Sequence, residues 1–554
     1  MREDYFVVGE GLLSFGERRE PTCRRPSTAA ELRKFRFSRL GPKGRQLDEE
    51  VRAALAEAMV AGQSADSDPA VPAGFTYLGQ FVDHDLTMDA TAAALGSEVT
   101  VDDLLQGRSP ALDLDSLYGR GPDDRNDRRF YADDGLHLRS GATVGVPGDA
   151  ETIQDRDGFD LPRAGTGSSK RERQAAVVPD PRNDENLAVA QLHLAFIRFH
   201  NRVVDELASR RLSGPALFRA ARDTVVKHYQ WMLRTDFLPR IVAPEVVDDV
   251  FTNGRRFFEV APGYEHRGRD RWVKPGDRPT MPIEFSVAAY RLGHSMVREV
   301  YQWNRVFNST PGNQLPAGTL ELLFRFSGTS GNLSPDGELD DPESGSLERL
   351  PSNWIADFRR LFDFREAGRD DLVVPTTEAV PGLNLARRID TLLVDPLRNL
   401  PLGSFGDRDA RPPAIERNLA FRNLTRAGMV ELASGQQMAE LLDVAPLKPD
   451  EILHGAGGAT LDQLSAEQQA ELTGNTPLWF YILRESEFNH GRLDGVGARI
   501  VAEVFHRSMQ GSRTSILREP AWRPTFGPDR ETFRMVDLLL FAFQGKAELL
   551  NPLG

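Results

Sequence analysis

The chain has 554 residues, 40% of them hydrophobic and 27% charged, which is ordinary for a soluble globular protein and long enough for a large core. Its formal net charge of −14, with arginines scattered rather than run together, argues against nucleic acid as a partner. The single cysteine, Cys23, excludes an intramolecular disulfide and a thiolate metal cluster, and no run approaches the ~18 apolar residues of a spanning helix, so no integral membrane segment is expected.

In chain order, residues 1–70 read as an N-terminal arm, irregular except for a helix over Leu47–Met59. The start lacks the apolar core and cleavage site of a signal peptide, so the expected location is cytoplasmic, or secreted by a non-classical route. Arg18-Arg19 and Arg267–Arg271 read as solvated surface, and Cys23, in a polar proline-flanked stretch, as incidental. Ala61–Ala73 is a loop by its Gly, Ser, Asp and Pro content. Residues 140–180 read as loop with a short strand pair. Asp184–Arg210 is the clearest helix, its apolar positions too dense for one stripe and so buried nearly all round. Further helices are expected over Gly214–Asp236, Pro282–Tyr301, Ser434–Asp443 and Asn489–Met509, and a polar loop over residues 327–353. Strand-like alternation is scarce. The expectation is a mainly α protein with long loops and very little β: an arm over residues 1–70, then one large helical catalytic domain over 71–554.

Five constellations carry chemistry. The first is Gly79-Gln80-Phe81-Val82-Asp83-His84-Asp85-Leu86-Thr87. On a helix Gln80 and His84 share a face, while Asp85 turns roughly 100° away, so one helix serves two ligands. The second is Val178-Pro-Asp-Pro-Arg182-Asn-Asp-Glu185-Asn186, with an arginine at a helix start, an end that disfavours cations. The third is Tyr290-Arg291-Leu-Gly293-His294-Ser-Met, a histidine beside a glycine on an apolar helix. The fourth is Arg422-Asn423-Leu-Thr-Arg426. The fifth is Ser109-Pro-Ala111-Leu-Asp113-Leu-Asp115, whose Asp-x-Asp spacing directs two carboxylates toward one hard cation without the EF-hand pattern.

Together these segments resemble, in order, the motifs of the animal-type haem peroxidases (the myeloperoxidase and cyclooxygenase superfamily), in a bacterial-like form. The resemblance spans about residues 75–436. It implies haem b with His294 as the iron ligand, Arg291 paired with a propionate, and Asn423 (Asn418 being a rival) accepting the second N–H of His294. It implies that His84 is the acid–base catalyst, that Gln80 holds a water or halide beside it, and that Arg182 stabilises charge on the departing oxygen. In the mammalian branch, carboxylates at the positions of Asp83 and Glu185 are esterified to the haem. Here they read either as ester nucleophiles or as a local hydrogen-bond acceptor and a first-turn helix acid. Asn186 stands where myeloperoxidase has a methionine bonded to a haem vinyl, so that link is expected to be absent. Calcium would be held by Asp85, Ser109, the Ala111 carbonyl, Asp113 and Asp115, with Ser and Asp where the family usually has Thr and Ser.

The implied function is a haem peroxidase that reduces hydrogen peroxide and oxidises a small anionic or aromatic donor: halides, thiocyanate or phenols. A fatty-acid dioxygenase of the same superfamily is the second reading. Its hydrogen-abstracting tyrosine would precede the iron-binding histidine by three residues, where this chain has Arg291, with Tyr290 one further back. A calcium-stabilised interaction module without catalysis is the third.

Overall fold

The computed structural model describes residues 37–62, 70–91, 93–209, 212–260, 279–313, 315–378, 380–405 and 411–554, and three short strands ahead of them. Arg18-Arg19, the Cys23 side chain, Arg267–Arg271 and most of the 61–73 loop lie outside the described residues. Helix accounts for 46% and strand for 6%, a mainly α protein. Among the described residues no helix is long and apolar enough to cross a membrane.

The arm contains an antiparallel three-stranded sheet, Asp4–Val7, Gly11–Phe15 and Pro21–Arg24, in strands too short for alternation to have been legible. Its next strand, Phe37–Ser38, pairs in parallel with Met281–Pro282, just ahead of the His294 segment. The predicted helix near residues 47–59 forms as Glu49–Val60.

The centre is the Leu187–Ala208 helix. It packs on Gly74–Leu86, Gly214–Met232 and Met535–Ala542, inside one apolar cluster that runs from Phe37 to Leu550. Phe81 stacks on Phe196 at 4.5 Å, which fixes the His84 helix against it. Asn186 caps the long helix, its side chain accepting from Val189 N–H at 3.0 Å. Gly74 starts the His84 helix because a Cβ there would fall 2.2 Å from the Phe362 ring. The strand pair expected in 140–180 is Gly141–Ala142 with Asp157–Asp160.

Two expected helices are interrupted. Gly214–Met232 continues into a π-turn over Leu233–Phe237. Residues 282–301 do not form one helix: a π-turn over Glu284–Ala288 gives way to a 3₁₀ turn over Ala289–Leu292 and a short α-turn over Gly293–Met296. The break is at Ala288 (φ −129°, ψ −76°). Tertiary bonds outcompete the regular ladder there. Glu284 accepts from Leu40 and Gly41 N–H at 2.9 Å, and Arg291 Nε donates to the Ser286 carbonyl at 2.9 Å. Such π-bulges recur at functional sites. Near the C-terminus, Gly495–Gly511 starts later than predicted because residues 489–494 turn, with His490 at φ +53°.

Candidate functional site

A cavity of about 370 Å³ lies between the Gly74–Leu86 helix, the Arg182–Asn186 turn, the His294 segment and the Leu419–Met429 helix. From the first two it is lined by Gln80, Asp83, His84, Arg182 and Glu185. From the others it is lined by Arg291, Gly293, His294 and Asn423. Nine residues singled out by sequence therefore meet in one space, although 343 positions separate Gln80 from Asn423 (423 − 80).

His84 is buried, and its Nδ1 is 2.9 Å from the Asn183 amide oxygen. Nδ1–H donates there, leaving Nε2 with the lone pair. Nε2 is 3.4 Å from the Glu185 carboxylate oxygen that accepts from the Gln80 amide. The Gln80 carbonyl accepts from Asn186 at 2.9 Å. Burial works to raise the Glu185 carboxyl, but His84, Arg182 and Gln80 hold it below its ordinary value.

The 3₁₀ turn Pro181–Asp184 aims Arg182. Asp180 caps this turn by accepting from Arg182 N–H, and it binds the same guanidinium through Nε and Nη2. Nη2 also reaches the His84 carbonyl at 3.1 Å, tying the arginine to the base. Asp180 is fully buried, and its Oδ2, which accepts from Arg182 Nη2, also accepts from Arg108 Nε at 2.8 Å. Burial opposes its ionisation, but the two guanidiniums prevail and hold its carboxyl far below the usual range. Asp180 also offsets the unfavourable placement of a cation at a helix start.

His294 Nδ1 is 2.9 Å from the Asn423 amide. Its rival Asn418 is occupied capping the next helix, accepting from Ala420 N–H at 2.9 Å. Asn423 Nδ2 faces the ring; a half-turn of the amide brings its oxygen there instead, to accept Nδ1–H and leave Nε2 for a metal. Burial, helped by Arg291 and Arg426, pushes the His294 imidazole down to about 3, so it is neutral, as an iron ligand must be. A Cβ on Gly293 would meet nothing within 4 Å, so this glycine keeps cavity space open beside the histidine. Asp83 accepts from Thr87 Oγ1 at 3.0 Å and lies 4.0 Å from Arg291 Nη1. The donor set suits haem: a neutral histidine on an open wall, carboxylates at the rim and guanidiniums for propionates.

The 109–115 loop meets the back of the His84 helix. Asp85 accepts from Leu114 N–H (3.2 Å) and the Ser116 hydroxyl (3.4 Å). Ser109 donates its amide to Asp115 and its hydroxyl to Asp113, while the Ala111 carbonyl accepts from Asp113 N–H. All three aspartates are buried. Burial, with Asp115 and Asp113 close by, pushes the Asp85 carboxyl well up; burial outweighs Arg108 at Asp115, which rises to about 7. Asp115 Oδ1 is buried without a hydrogen-bond partner. The oxygens nonetheless face amides and hydroxyls rather than one point, and among the described residues no group of three or more His, Cys, Asp or Glu side chains is set to hold a metal ion.

Sequence reasoning missed Asn183, Asp180 and Arg108. Asn183 and Asp180 sit within the quoted Arg182 motif, but nothing local told which of its polar residues faces inward.

Residues 94–330 match the family model described as animal haem peroxidase. That span includes Arg182, Glu185, His294 and the 109–115 loop; the fold adds His84 from before it and Asn423 from beyond it. A peroxidase-like protein of Margaritifera margaritifera is 31% identical over 165 residues, 29% of this chain and 19% of that protein. Thyroid peroxidase of Mus musculus is 26% identical over 302 residues, 52% of this chain and 30% of that protein. The matches thus span less than a third of these relatives' own length. Among solved structures, Peroxidase A from Dictyostelium discoideum covers 93% of this chain and 94% of its own, with TM-score 0.54 and 15% identity. The Oryza sativa fatty acid alpha-dioxygenase covers 92% and 79%, with TM-score 0.51 and 14% identity. At these identities the two structures show a shared fold.

Proposed function

We infer that this chain, which belongs to the animal haem peroxidase family through residues 94–330, is a haem-dependent peroxidase that reduces hydrogen peroxide and oxidises small anionic or aromatic donors such as halides, thiocyanate or phenols. The observation that carries this reading is the pair of cavity histidines, each turned by an asparagine at Nδ1, one beside a held arginine and the other beside an open glycine. Haem bound through His294 would supply the redox chemistry. The chain's own contributions are then distinct. Nε2 of His84 takes a proton from the nearer peroxide oxygen and returns it to the departing one. Arg182, fixed by Asp180, presents positive charge to that oxygen. Gln80 and Glu185 shape the space beside Nε2. Arg291 would pair with a propionate.

Two finer elements belong to this reading. Asp83 and Glu185 line the cavity and would be the residues esterified to haem. A calcium ion would neutralise the Asp85, Asp113 and Asp115 charges and satisfy Asp115 Oδ1, once these oxygens turn from their present donors. The dioxygenase reading has one observation in its favour: the Tyr290 hydroxyl is buried, lacks a hydrogen-bond partner and lines the same cavity.

The test is the absorption spectrum of protein purified with haem supplied, repeated after peroxide and after acid–acetone extraction. A Soret band that shifts with peroxide supports the peroxidase; its retention on extraction, and loss of retention in the Asp83→Asn/Glu185→Gln double variant, supports the esters. A folded protein without a Soret band overturns the assignment. Oxygen uptake with linoleate that vanishes in Tyr290→Phe would move the reading to the dioxygenase.

A further inference from the structure

Apart from the main cavity, and sharing no lining residue with it, lies an open groove of about 570 Å³. It is built on the strand Gly141–Ala142 and flanked by residues 161–165 and 346–349. Four arginines line it, Arg139, Arg163, Arg173 and Arg349, against one carboxylate, Glu348, in a chain whose net charge is −14. Arg163 is fully engaged, because the buried Asp160 and Asp184 hold its guanidinium, and so it anchors the groove. The other three are held by acids that water reaches: Arg139 by Asp133 at 3.4 Å, Arg173 by Glu348 at 2.7 Å and Arg349 by Asp155 at 3.1 Å. Exposed ion pairs of this kind contribute little and are readily exchanged. Each of the three also donates to a carbonyl, of Tyr131, Gly167 and Thr143 respectively. Among the described residues each still keeps one nitrogen without a protein partner: Nη1 of Arg139, Nη2 of Arg173 and Nε of Arg349. The rest of the lining is mostly aliphatic, with Ala142, Val144, Leu161, Pro162 and Leu347, and it contains no aromatic ring.

We propose that this groove binds a compact polyanion of the oligophosphate class, held by Arg139, Arg173 and Arg349. Three guanidiniums brought in by three separate segments suit one anion whose charge is spread along its length. An anion with a single charge would satisfy one arginine and leave the other two on their acids. A phosphate directs oxygens to several sides, so neighbouring groups of a chain can reach arginines on different walls, and each contact is a charge-assisted hydrogen bond. A carboxylate offers two oxygens in one plane. The aliphatic floor gives a nucleobase no ring to stack on, so the phosphate chain itself is what the groove recognises. Glu348 is the groove's own occupant of Arg173, and the ligand takes its place there. None of these residues lines the main cavity, so the site stands or falls independently of the peroxidase reading.

The experiment is calorimetric titration of the full-length protein, with haem supplied, at constant ionic strength and without divalent metals. Tripolyphosphate is the probe, with orthophosphate and hexa-aspartate as comparisons. Tripolyphosphate is expected to bind once per chain and at least about tenfold tighter than orthophosphate, the scale of one added charge-assisted hydrogen bond. Arg173→Gln and Arg349→Gln are each expected to weaken it by about tenfold. Arg139→Gln, at an exposed position where the fold is not at stake, is expected to weaken it as well. Arg365→Gln removes an exposed arginine outside the groove and is expected to leave binding unchanged. Absence of one-site binding overturns the proposal, as does an equal loss in Arg365→Gln, which would make the effect one of overall charge. Tighter binding of hexa-aspartate would replace the oligophosphate with an acidic peptide. Binding that appears only in haem-free protein would move the anion to the arginines of the main cavity and remove this site.

Discussion

Nδ1 of His84 lies 2.9 Å from the amide oxygen of Asn183, one residue after the arginine that shares its cavity. This contact selects the tautomer in which Nε2 is free to accept a proton. The base and the charge stabiliser are thus positioned by one short turn, since Arg182 also grips the His84 carbonyl.

Asn183→Ala is therefore expected to leave haem uptake intact but slow the reaction with peroxide by about tenfold to a hundredfold, while His84→Ala loses about 10²- to 10⁴-fold. Stopped-flow spectra of the Soret shift measure both. An Asn183→Ala protein as fast as the parent would show that the contact does not orient the base.

Asp180 is buried between Arg108 and Arg182. Asp180→Asn leaves two guanidiniums without their carboxylate and is expected to cost about 3–5 kcal/mol in denaturant unfolding, and to slow peroxide reduction by loosening Arg182. The folded-state pKa of Asp180 is depressed, so its contribution is fully present above the unfolded carboxylate value and is lost as pH falls toward the folded one. In the Asn variant that part of the acid sensitivity disappears.

The proposal that the 109–115 loop holds calcium predicts a chelator effect. Removing the ion leaves Asp85, Asp113 and Asp115 buried together, so EGTA is expected to lower Tm and added calcium to restore it. Asp115→Asn, which removes one charge, is expected to abolish that calcium response. A Tm indifferent to both reagents in the parent would remove calcium from the account.

Far from the cavity, Glu485 accepts from Gly497 N–H at 3.2 Å, and burial pushes its carboxyl up to about 8. Here the folded state binds the proton more tightly than the unfolded chain. Stability therefore falls as pH rises from the ordinary glutamate value to about 8, by up to about 1.4 kcal/mol per pH unit. Glu485→Gln keeps the acceptor and is expected to flatten the slope. Urea midpoints at several pH values check it.

Much of the site was legible in the chain itself. Gln80, Asp83, His84 and Asp85 share one helix, and Arg182 and Glu185 one turn, so their relative placement follows from a few backbone dihedrals. The His294 segment read as a continuous helix because propensity saw only its apolar side chains, not the bonds from Leu40 and Gly41 that reach Glu284 over 240 residues away.

By itself, then, the sequence determined which reactive side chains exist, their order, and their spacing wherever a single helix or turn carries them. Only the tertiary structure decided that Asn423 rather than Asn418 faces His294, that Asn183 holds His84, and that Asp180 is the shared counter-charge of two arginines. Those choices rest on burial and on donors arriving from distant elements. A buried polar group must take the partner that packing brings to it, and adjacency along the chain does not say which that is.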